Sequence, residues 1–489
     1  MLLIIKNFGA IKEARIDLSK KHYFFVGYNN TGKTYLAKLI YDIFSSEVQK
    51  DFTESVHNSF EIDKTECLTL TETMVQNILN DFASFLKTKA IPKALKTNGR
   101  ANFIVSNLDI SFEFKFEDVT EKKLSSKAMI GLSAENTEDN SIEIVTLLKK
   151  EGSLDVEIQE NNEVFDKIPA DFFQNHVKEI QKNFVKNSLP QSLLRLLLQN
   201  KEAPFFLPAN RIFILENADE LVTQENQKRK ELLSQLIELA ENKDENQEKI
   251  NALLNRKPDS NHTVHISTLI EAISKLRANK NEDFITNGTG FYDDFLIKLS
   301  KIMGGSITVT ESTAISKRRE LFEFQTSGSE AAHSIDLFLA SSSVNQLGTL
   351  FLYLKYWAKQ SNNFLILDEP EENLHPVSQL RLLDLLLDFA NQGNRLLLTT
   401  HSPLIGQMLN NYLTLGQLKN KAEVAEQLGF SDKQVNPENT GIYYFNGETV
   451  TETTISNYGA IFASFKAAED NVSQINNYLS DLMFNQQNQ

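Results

Sequence analysis

The chain has 489 residues, of which 41% are hydrophobic, and its formal net charge is −15 at pH 7. This composition excludes global disorder and gives room for two or three domains. The acidic charge disfavours non-specific binding of nucleic acid across the whole surface. The single cysteine, Cys67, excludes an intramolecular disulfide and a cysteine-rich zinc site. No stretch approaches the roughly 18 apolar residues of a membrane span, so we expect a cytoplasmic protein without membrane contact.

Short apolar or alternating runs predict three strands at the start of the chain: LLII, ARIDL and HYFFVG. Helix-forming residues follow from Lys33 to Phe44. Further strands are predicted at ISFEFKF and twice within 141–160, and the pattern becomes helical over 166–200. This stretch is predicted to form a β-rich lobe.

A basic run without a single acid lies between residues 87 and 100, and its members are Lys87, Lys89, Lys93, Lys96 and Arg100. It is either a solvated face or a local docking surface for an acidic partner or nucleic acid. The sequence leaves both interpretations open.

Residues 216–282 are rich in Glu, Lys, Gln and Asn and poor in aromatic residues. The leucines and isoleucines of ELLSQLIELAENKDENQEKINALLNR have helical spacing, Pro258 interrupts the pattern, and STLIEAISKLRANK predicts a second helix. We expect a helical hairpin or short coiled coil. It divides the chain into three parts, at 1–215, 216–300 and 301–489.

Alternating strands and helices return after residue 300. FLILD (364–368) and RLLLTTH (395–401) predict buried strands, each followed by a helix, over 377–391 and 403–418. GIYYFNGETV (441–450) predicts a hairpin around Asn446-Gly447. This alternation predicts an α/β fold with a mainly parallel sheet.

Residues 27–34 match the pattern G-x-x-x-x-G-K-[ST] at every fixed position, between a predicted strand and a predicted helix. Glycines let backbone N–H groups cradle phosphate, Lys33 can reach the β- and γ-phosphates, and the Thr34 hydroxyl can ligate Mg²⁺. We therefore predict bound ATP with Mg²⁺. The predicted phosphate-binding residues are Gly27, Asn29, Asn30, Thr31, Gly32, Lys33, Thr34 and Tyr35.

The FLILD strand ends in two carboxylates, Asp368 and Glu369, ahead of Pro370. Phosphoryl transfer needs one carboxylate for the metal and one to orient water, and we assign these roles to Asp368 and Glu369 respectively. Because neighbouring strand residues point to opposite faces, the strand must end near Asp368 if both are to reach one site. His401 follows the next strand and can donate a hydrogen bond to the γ-phosphate.

These motifs, in this order, resemble the RecF/SMC-like branch of the ATP-binding-cassette (ABC) ATPases. The run DEPEENLHP at 368–376, followed by TTHSP, resembles the overcoming-lysogenization-defect ATPases and the ATPase subunits of two-gene anti-phage systems of the Septu PtuA or PARIS AriA type. NFGAIKEARIDL (7–18) and PANR (208–211) resemble further family segments. The resemblance implies an ABC-type P-loop ATPase head with a β-rich N-terminal lobe, a parallel-sheet C-terminal lobe and a helical insertion.

In such proteins two heads sandwich ATP, and a serine-rich signature segment of one head completes the site of the other. The matching residues are Ser341, Ser342 and Ser343, which here lack the glycine that commonly follows the serine. A plain serine N-cap is the alternative. The resemblance also implies that Asn373 to His375 lie between the heads. Arg211 is left with two interpretations, a structural ion pair or a site residue.

The resemblance implies an ATP-driven switch that dimerises its heads and controls a separate effector, such as a nuclease or toxin, in anti-phage defence. The alternatives are a DNA-repair ATPase of RecF type, which the charge of −15 disfavours, and a non-hydrolysing scaffold, which Glu369 disfavours. No D-x-D motif on a buried strand and no His-Asn-His arrangement follows His401. We therefore expect no nuclease in this chain, and binding of nucleic acid stays open.

Overall fold

A computed structural model describes most of the chain. The described residues are 1–55, 67–95, 104–120, 122–131, 141–160, 188–199, 203–217, 220–221, 223, 234, 264–279, 281–309, 322–327, 334–428, 436–453 and 462–487. Among the helices described, none combines the length and apolar character that a membrane-spanning helix needs.

The strands are β1 (Leu2–Phe8), β2 (Ile11–Asp17), β3 (His22–Gly27), β4 (Cys67–Thr69), β5 (Asp109–Glu113), β6 (Leu124–Gly131), β7 (Ser141–Lys149), β8 (Asp155–Glu160), β9 (Pro204–Leu207), β10 (Gly305–Val309), β11 (Phe322–Thr326), β12 (Ser334–Asp336), β13 (Phe364–Asp368), β14 (Arg395–Thr400), β15 (Thr440–Phe445) and β16 (Thr449–Glu452).

The α-helices are α1 (Lys33–Phe44), α2 (Ser46–Ser55), α3 (Glu72–Phe85), α4 (Ile91–Leu95), α5 (Phe116–Thr120), α6 (188–198), α7 (211–217), α8 (Val264–Ala278), α9 (Glu282–Asn287), α10 (Asp293–Met303), α11 (Ser342–Leu352), α12 (Pro376–Asn391), α13 (Pro403–Gln417), α14 (Lys421–Leu428) and α15 (Ala463–Gln487). Short π-helical turns continue α3 over Leu86–Ala90 and α11 over Tyr353–Trp357.

A nine-stranded sheet joins both ends of the chain, in the order β5-β1-β2-β16-β15-β3-β14-β13-β9. Its five strands from β15 to β9 pair in parallel, whereas β1 pairs antiparallel with both β2 and β5. A separate antiparallel sheet, in the order β4-β8-β7-β6, belongs to the N-terminal half. The structure confirms the predicted α/β class, with the candidate phosphate loop and both candidate carboxylates on one sheet.

Hydrophobic cores cover both faces of the parallel strands. Along β3, Tyr23 and Phe25 face one core, and Phe24 and Val26 face the other. The helices α1 and α3 contribute to the first core, and α8 and α10 to α13 contribute to the second. Burial on both faces explains why β3, β13 and β14 are near-continuous apolar runs rather than alternating ones.

The predicted elements on either side of the candidate site agree closely with the structure. The predicted helix from Lys33 to Phe44 is α1, FLILD is β13, and the predicted hairpin is β15 paired antiparallel with β16. Gly447 occupies the turn with φ of 107°. The two strands predicted within 141–160 are β7 and β8.

The second predicted helix of the insertion, α8, packs into the second core. Leu269 and Ile273 are fully buried, the Tyr41 and Thr268 hydroxyls lie 2.8 Å apart, and His265 Nε2 lies 3.2 Å from Asp42 Oδ1 on α1. The helix α8 is therefore packed into the core beside the main sheet and does not project from it. The first predicted helix lies almost wholly outside the described residues, so the limits of the insertion stay a prediction.

The basic run is only partly described. Lys87 and Lys89 are exposed, whereas the Lys93 Nζ lies 3.4 Å from the Asp51 carboxylate and is thus partly compensated. Lys96 and Arg100 lie outside the described residues.

Leu269→Ala tests whether α8 belongs to the head. Because Leu269 is fully buried between α8 and the sheet, the substitution should lower the free energy of unfolding by about 2–5 kcal/mol. Denaturant unfolding measures this. Leu428→Ala, at an exposed position at the end of α14, is the matched control and should change stability by no more than about 0.5 kcal/mol. Equal stability of both variants would contradict the placement of α8.

Candidate nucleotide site

The candidate site lies where three parallel strands end side by side. Strand β14 lies between β3 and β13, with Thr400 opposite Val26 and Thr399 opposite Asp368. The phosphate loop leaves β3, Asp368 ends β13 with Glu369 directly after it, and His401 follows β14. The carboxyl edge of a parallel sheet is where ligands bind in open α/β folds.

The two fixed glycines of the phosphate loop are required by close contacts as well as by conformation. Gly27 has φ of 149°, and a Cβ there would lie 2.3 Å from the Phe445 carbonyl oxygen. Gly32 has φ of 93°, and its Cβ would lie 2.8 Å from Ile11 Cγ1. Neighbouring elements therefore hold the loop against the sheet, with only a glycine N-cap at the start of α1.

Lys33 is the only lysine of the loop, and just 4% of it is exposed. Its Nζ donates to the carbonyl oxygens of Gly27 at 3.1 Å and Tyr28 at 2.5 Å. Burial lowers the pKa of Lys33, and the nearby carboxylates of Glu369 and Asp368 oppose this shift. The ammonium thus lies inside the loop, where phosphate oxygens can replace the two carbonyls as acceptors.

Among the other predicted phosphate ligands, Asn29 and Asn30 are exposed at the top of the loop, and Asn30 has φ of 60°. The Thr31 hydroxyl donates to the Tyr28 carbonyl at 2.8 Å and thereby closes the turn. Tyr35 packs its ring against Phe8, with 6.1 Å between the centroids. The Tyr35 ring is thus engaged with β1, and a role of Tyr35 in binding phosphate stays a prediction.

Asp368 and Thr34 form the candidate Mg²⁺ site. The Thr34 hydroxyl lies 2.9 Å and 3.1 Å from the two Asp368 carboxylate oxygens, and Thr399 Oγ1 donates to Asp368 Oδ1 at 2.6 Å. Burial raises the pKa of Asp368, and the hydrogen bonds from Thr399 and Thr34 oppose this shift. An all-oxygen pair beside a phosphate loop fits Mg²⁺, which is commonly held by one or two protein oxygens together with substrate phosphates.

Glu369 is turned toward the same site by its backbone. The strand β13 ends at Asp368, and Glu369 has φ of 47°, which is unusual for a residue other than glycine. Its N–H donates to the carbonyl oxygen of Thr399 at 3.2 Å and to the Thr399 hydroxyl at 3.1 Å. This strained turn meets the condition set by the sequence, that the strand end at Asp368.

His401 lies between two carboxylates. Its Nδ1 is 3.4 Å from Glu369 Oε1 and 3.9 Å from Glu371 Oε1. Glu369 raises the pKa of His401, and His401 in turn lowers the pKa of Glu369. With Nδ1 directed to the acids, Nε2 is the ring nitrogen left to donate to a phosphate.

Glu371 is a site residue that the sequence analysis did not single out. It is buried, and its Oε1 accepts hydrogen bonds from the Thr400 hydroxyl at 2.5 Å and from the His401 N–H at 3.1 Å. Burial raises the pKa of Glu371, and its Oε2 has no hydrogen-bond partner among the described residues. The signal was present in the sequence as the third acid of DEPEE, the first after the proline.

Arg211 is fully buried and binds main-chain carbonyls instead of an acid. Its guanidinium donates to Pro208 at 3.0 Å, Asp368 at 3.1 Å and Gln346 at 2.9 Å. Burial lowers the pKa of Arg211 to about 10. Arg211 therefore joins the end of β13 to α11, the helix that follows the serine-rich segment.

The serine-rich segment lies at the start of α11. Ser341 is the N-cap, and its hydroxyl accepts from the Val344 N–H at 3.4 Å and lies 2.9 Å from the Ser343 hydroxyl. Ser342 is exposed, and Leu339 just before the segment is 79% exposed. The N-cap interpretation thus holds for Ser341, and a contact with a second head stays a prediction.

A family model described as AAA ATPase domain matches residues 1–405. Three solved structures are similar to the chain. The first is the Smc head domain from Pyrococcus furiosus, with an extended coiled coil and bound to the C-terminal domain of ScpA. Its sequence is 12% identical, the match covers 97% of this chain and 98% of that chain, and the TM-score is 0.32. The SmcHead bound to the C-winged helix domain of ScpA has 10% identity, with coverages of 93% and 98% and a TM-score of 0.35. The SMC head domain from Thermotoga maritima has 10% identity, the same coverages and a TM-score of 0.29. No curated protein matches the chain.

Glu369→Gln should lower the pKa of His401, because it removes the negative charge that most stabilises the imidazolium. NMR titration of the histidine ring protons measures the pKa, and His401→Asn identifies the signal among the 8 histidines. The wild-type pKa should lie above the ordinary value of about 6.5. The stabilisation that the protonated His401 gains from Glu369 is therefore fully present at a pH below about 6.5, and it is lost as the pH rises through the raised pKa of His401.

Glu372→Gln is the control for this titration, because Glu372 is exposed on the same turn and makes no ion pair with His401 among the described contacts. In the Glu372→Gln variant, the pKa of His401 should equal that of the wild type. A His401 pKa that is the same in Glu369→Gln as in the wild type would contradict the assigned pair.

Proposed function

Because the chain belongs to the AAA ATPase domain family, we propose that it hydrolyses ATP with Mg²⁺ and uses this reaction as a switch. The observation that carries the proposal is the joint position of Lys33, Thr34, Asp368 and Glu369 at the ends of β3 and β13. Lys33 supplies the phosphate-facing charge, and Asp368 with Thr34 supplies metal ligands. Glu369, beside them, supplies the carboxylate that orients water.

In this proposal, His401 and Glu369 act as a pair. The carboxylate of Glu369 is held ionised by His401 and Lys33, which suits a group that must accept a hydrogen bond from water. Mg²⁺, when bound, neutralises charge on the phosphates. The Glu371 carboxylate holds the His401 backbone in place by accepting a hydrogen bond from the His401 N–H.

We further propose that two heads close on the nucleotide. Large apolar side chains are exposed beside the segments that would face a second head. Leu339 precedes the serine-rich segment, and Val377, which is 49% exposed, follows the predicted inter-head segment Asn373 to His375. Apolar side chains left in water next to a charged site favour a protein partner there.

The output of the switch should lie in another polypeptide. Within the described residues, no cluster of three or more metal-binding side chains forms a second centre. Together with the resemblance of DEPEENLHP to anti-phage ATPases, this supports a role as the sensor or ATPase subunit of a defence system with a separate nuclease or toxin. On this proposal, the purified chain hydrolyses ATP and cuts neither DNA nor RNA.

Glu369→Gln should leave ATP binding intact and slow hydrolysis by about 10²–10⁴-fold, because the amide is a poor base and orients water poorly. Binding of a fluorescent ATP analogue and steady-state phosphate release measure the two effects. Glu372→Gln, with the same chemistry at an exposed neighbouring position, should keep wild-type turnover. Fast turnover by Glu369→Gln would move the water-orienting role to another residue.

Mixing Ser343→Arg with Lys33→Ala tests the composite site. Each variant alone should be inactive, because every site of its dimer carries one defect. In the mixed dimer one site carries both defects and the other carries neither, so about half of the wild-type activity per mixed dimer should return. Phosphate release from the mixture, compared with the sum of the separate variants, measures this. A mixture no more active than that sum would contradict a site shared between heads.

A further inference from the structure

The helix α15 stands out because its apolar side chains are exposed. It runs over Ala463–Gln487, so it is about 37 Å long. Every residue from 471 to 480 is exposed. The exposed large apolar residues of the helix are Val472, Ile475, Tyr478, Leu479 and Met483. A single helix in water draws little stability from its own hydrogen bonds, so such a face calls for a partner.

The spacing of these residues is that of a coiled coil. Val472, Ile475 and Leu479 are separated by three and then four residues, and the sequence repeats this spacing at Phe465, Ala468 and Leu482. This assigns Val472 and Leu479 to position a and Ile475 to position d of a heptad repeat. Tyr478 and Met483 then occupy positions g and e, at the two sides of the same seam.

We infer that α15 pairs in parallel with α15 of a second copy of this chain, independently of nucleotide. The charge pattern favours a copy of the same helix over a different partner. From 471 to 489 Asp481 is the only charged residue, at the outward position c, and the remaining polar residues are Asn, Gln and Ser. In a parallel pair each a and d residue meets its own equivalent and each g residue meets the following e residue of the other copy, so neutral residues at e and g avoid like-charge repulsion.

Parallel pairing also brings the side chains at positions g and e, on the two edges of the seam, into contact between the two helices. A g position contacts the following e position of the other helix. Tyr478 would meet Met483 of the second copy, and Asn471 would meet Asn476 of the second copy. The first pair is apolar and the second neutral, so the flanks of the seam from 471 to 483 offer no charged anchor for an acidic or a basic partner.

This association differs from closure of the heads on ATP. The heads meet through the site around Lys33, whereas α15 needs no nucleotide. A pair of joined helices would keep two heads together at high effective concentration when ATP is absent.

The test uses the full chain without nucleotide, with a chelator present, in analytical ultracentrifugation. The seam variant is Ile475→Asp with Leu479→Asp, and the matched control is Ser473→Asp with Ser480→Asp, which adds the same charges on the outer face of the same helix. The wild type and the control should sediment at twice the 55.5 kDa chain mass. The seam variant should associate at least about 100-fold more weakly, because burying a carboxylate in an apolar seam is strongly unfavourable.

Disulfide crosslinking tests the register in a Cys67→Ser background, which removes the native cysteine. Leu479→Cys should form a dimer under mild oxidation without ATP, since like a positions face each other in a parallel pair. Ser473→Cys, on the outer face, should not. The same crosslink should form when Lys33→Ala is added, and this separates the inference from the proposed head closure.

Two outcomes overturn the inference. One is a wild-type chain that is monomeric without nucleotide and does not crosslink through Leu479→Cys, which would leave α15 to another protein. The other is a nucleotide-free dimer that the seam variant leaves intact.

Discussion

Parallel pairing of β14 with both β3 and β13 is the constraint on which the site depends. One register aligns the last residues of three strands from distant parts of the chain, with Val26 opposite Thr400 and Thr399 opposite Asp368. The phosphate loop, the metal carboxylate and His401 then meet at one edge without further adjustment. Thr399 adds to this alignment by donating its hydroxyl hydrogen to Asp368 and accepting the N–H of Glu369. A slip of one residue would move each of these groups to the other face of the sheet.

Arg211 connects the end of β13 with the helix α11 through hydrogen bonds. Its guanidinium holds the carbonyl oxygens of Asp368 and Gln346, and Gln346 lies three residues after Ser343 on α11. Since the donors are fixed in one plane, a displacement of α11 would strain the hydrogen bond to the end of β13. Lysine could not reproduce this arrangement, because its single ammonium lacks the planar fork. Arg211 thus connects the helix that follows the serine-rich segment with the backbone of Asp368.

The sequence predicted best where one local rule decides the structure. The apolar runs of β3 and β13 and the glycine pattern of the loop each have a single physical explanation, and their bounds agree with the structure. Arg211 was left open because its acceptors are backbone carbonyls, which carry no sequence signal. The placement of α8 depended on tertiary burial of Leu269 and Ile273, whose helical spacing is the same in a core helix and in a projecting one. The sequence analysis did not predict the long helix α15, along which Asn and Ser, two weak helix formers, recur.

The charges around the site explain why a divalent cation should accompany the nucleotide. Three carboxylates, Asp368, Glu369 and Glu371, lie at one sheet edge, and burial raises the pKa of Asp368 and Glu371. Against them stand Lys33, Lys38, Arg211 and, when protonated, His401, and the guanidinium of Arg211 is already engaged by carbonyl oxygens. A triphosphate would bring further negative charge into this partly buried region, where repulsion is stronger than in water. Lys33 can balance only part of it. A divalent cation held by Asp368 and Thr34 would offset part of this charge and would favour the ionised form of Asp368. On the proposed function, this acidity would make binding of the nucleotide and binding of the metal mutually dependent.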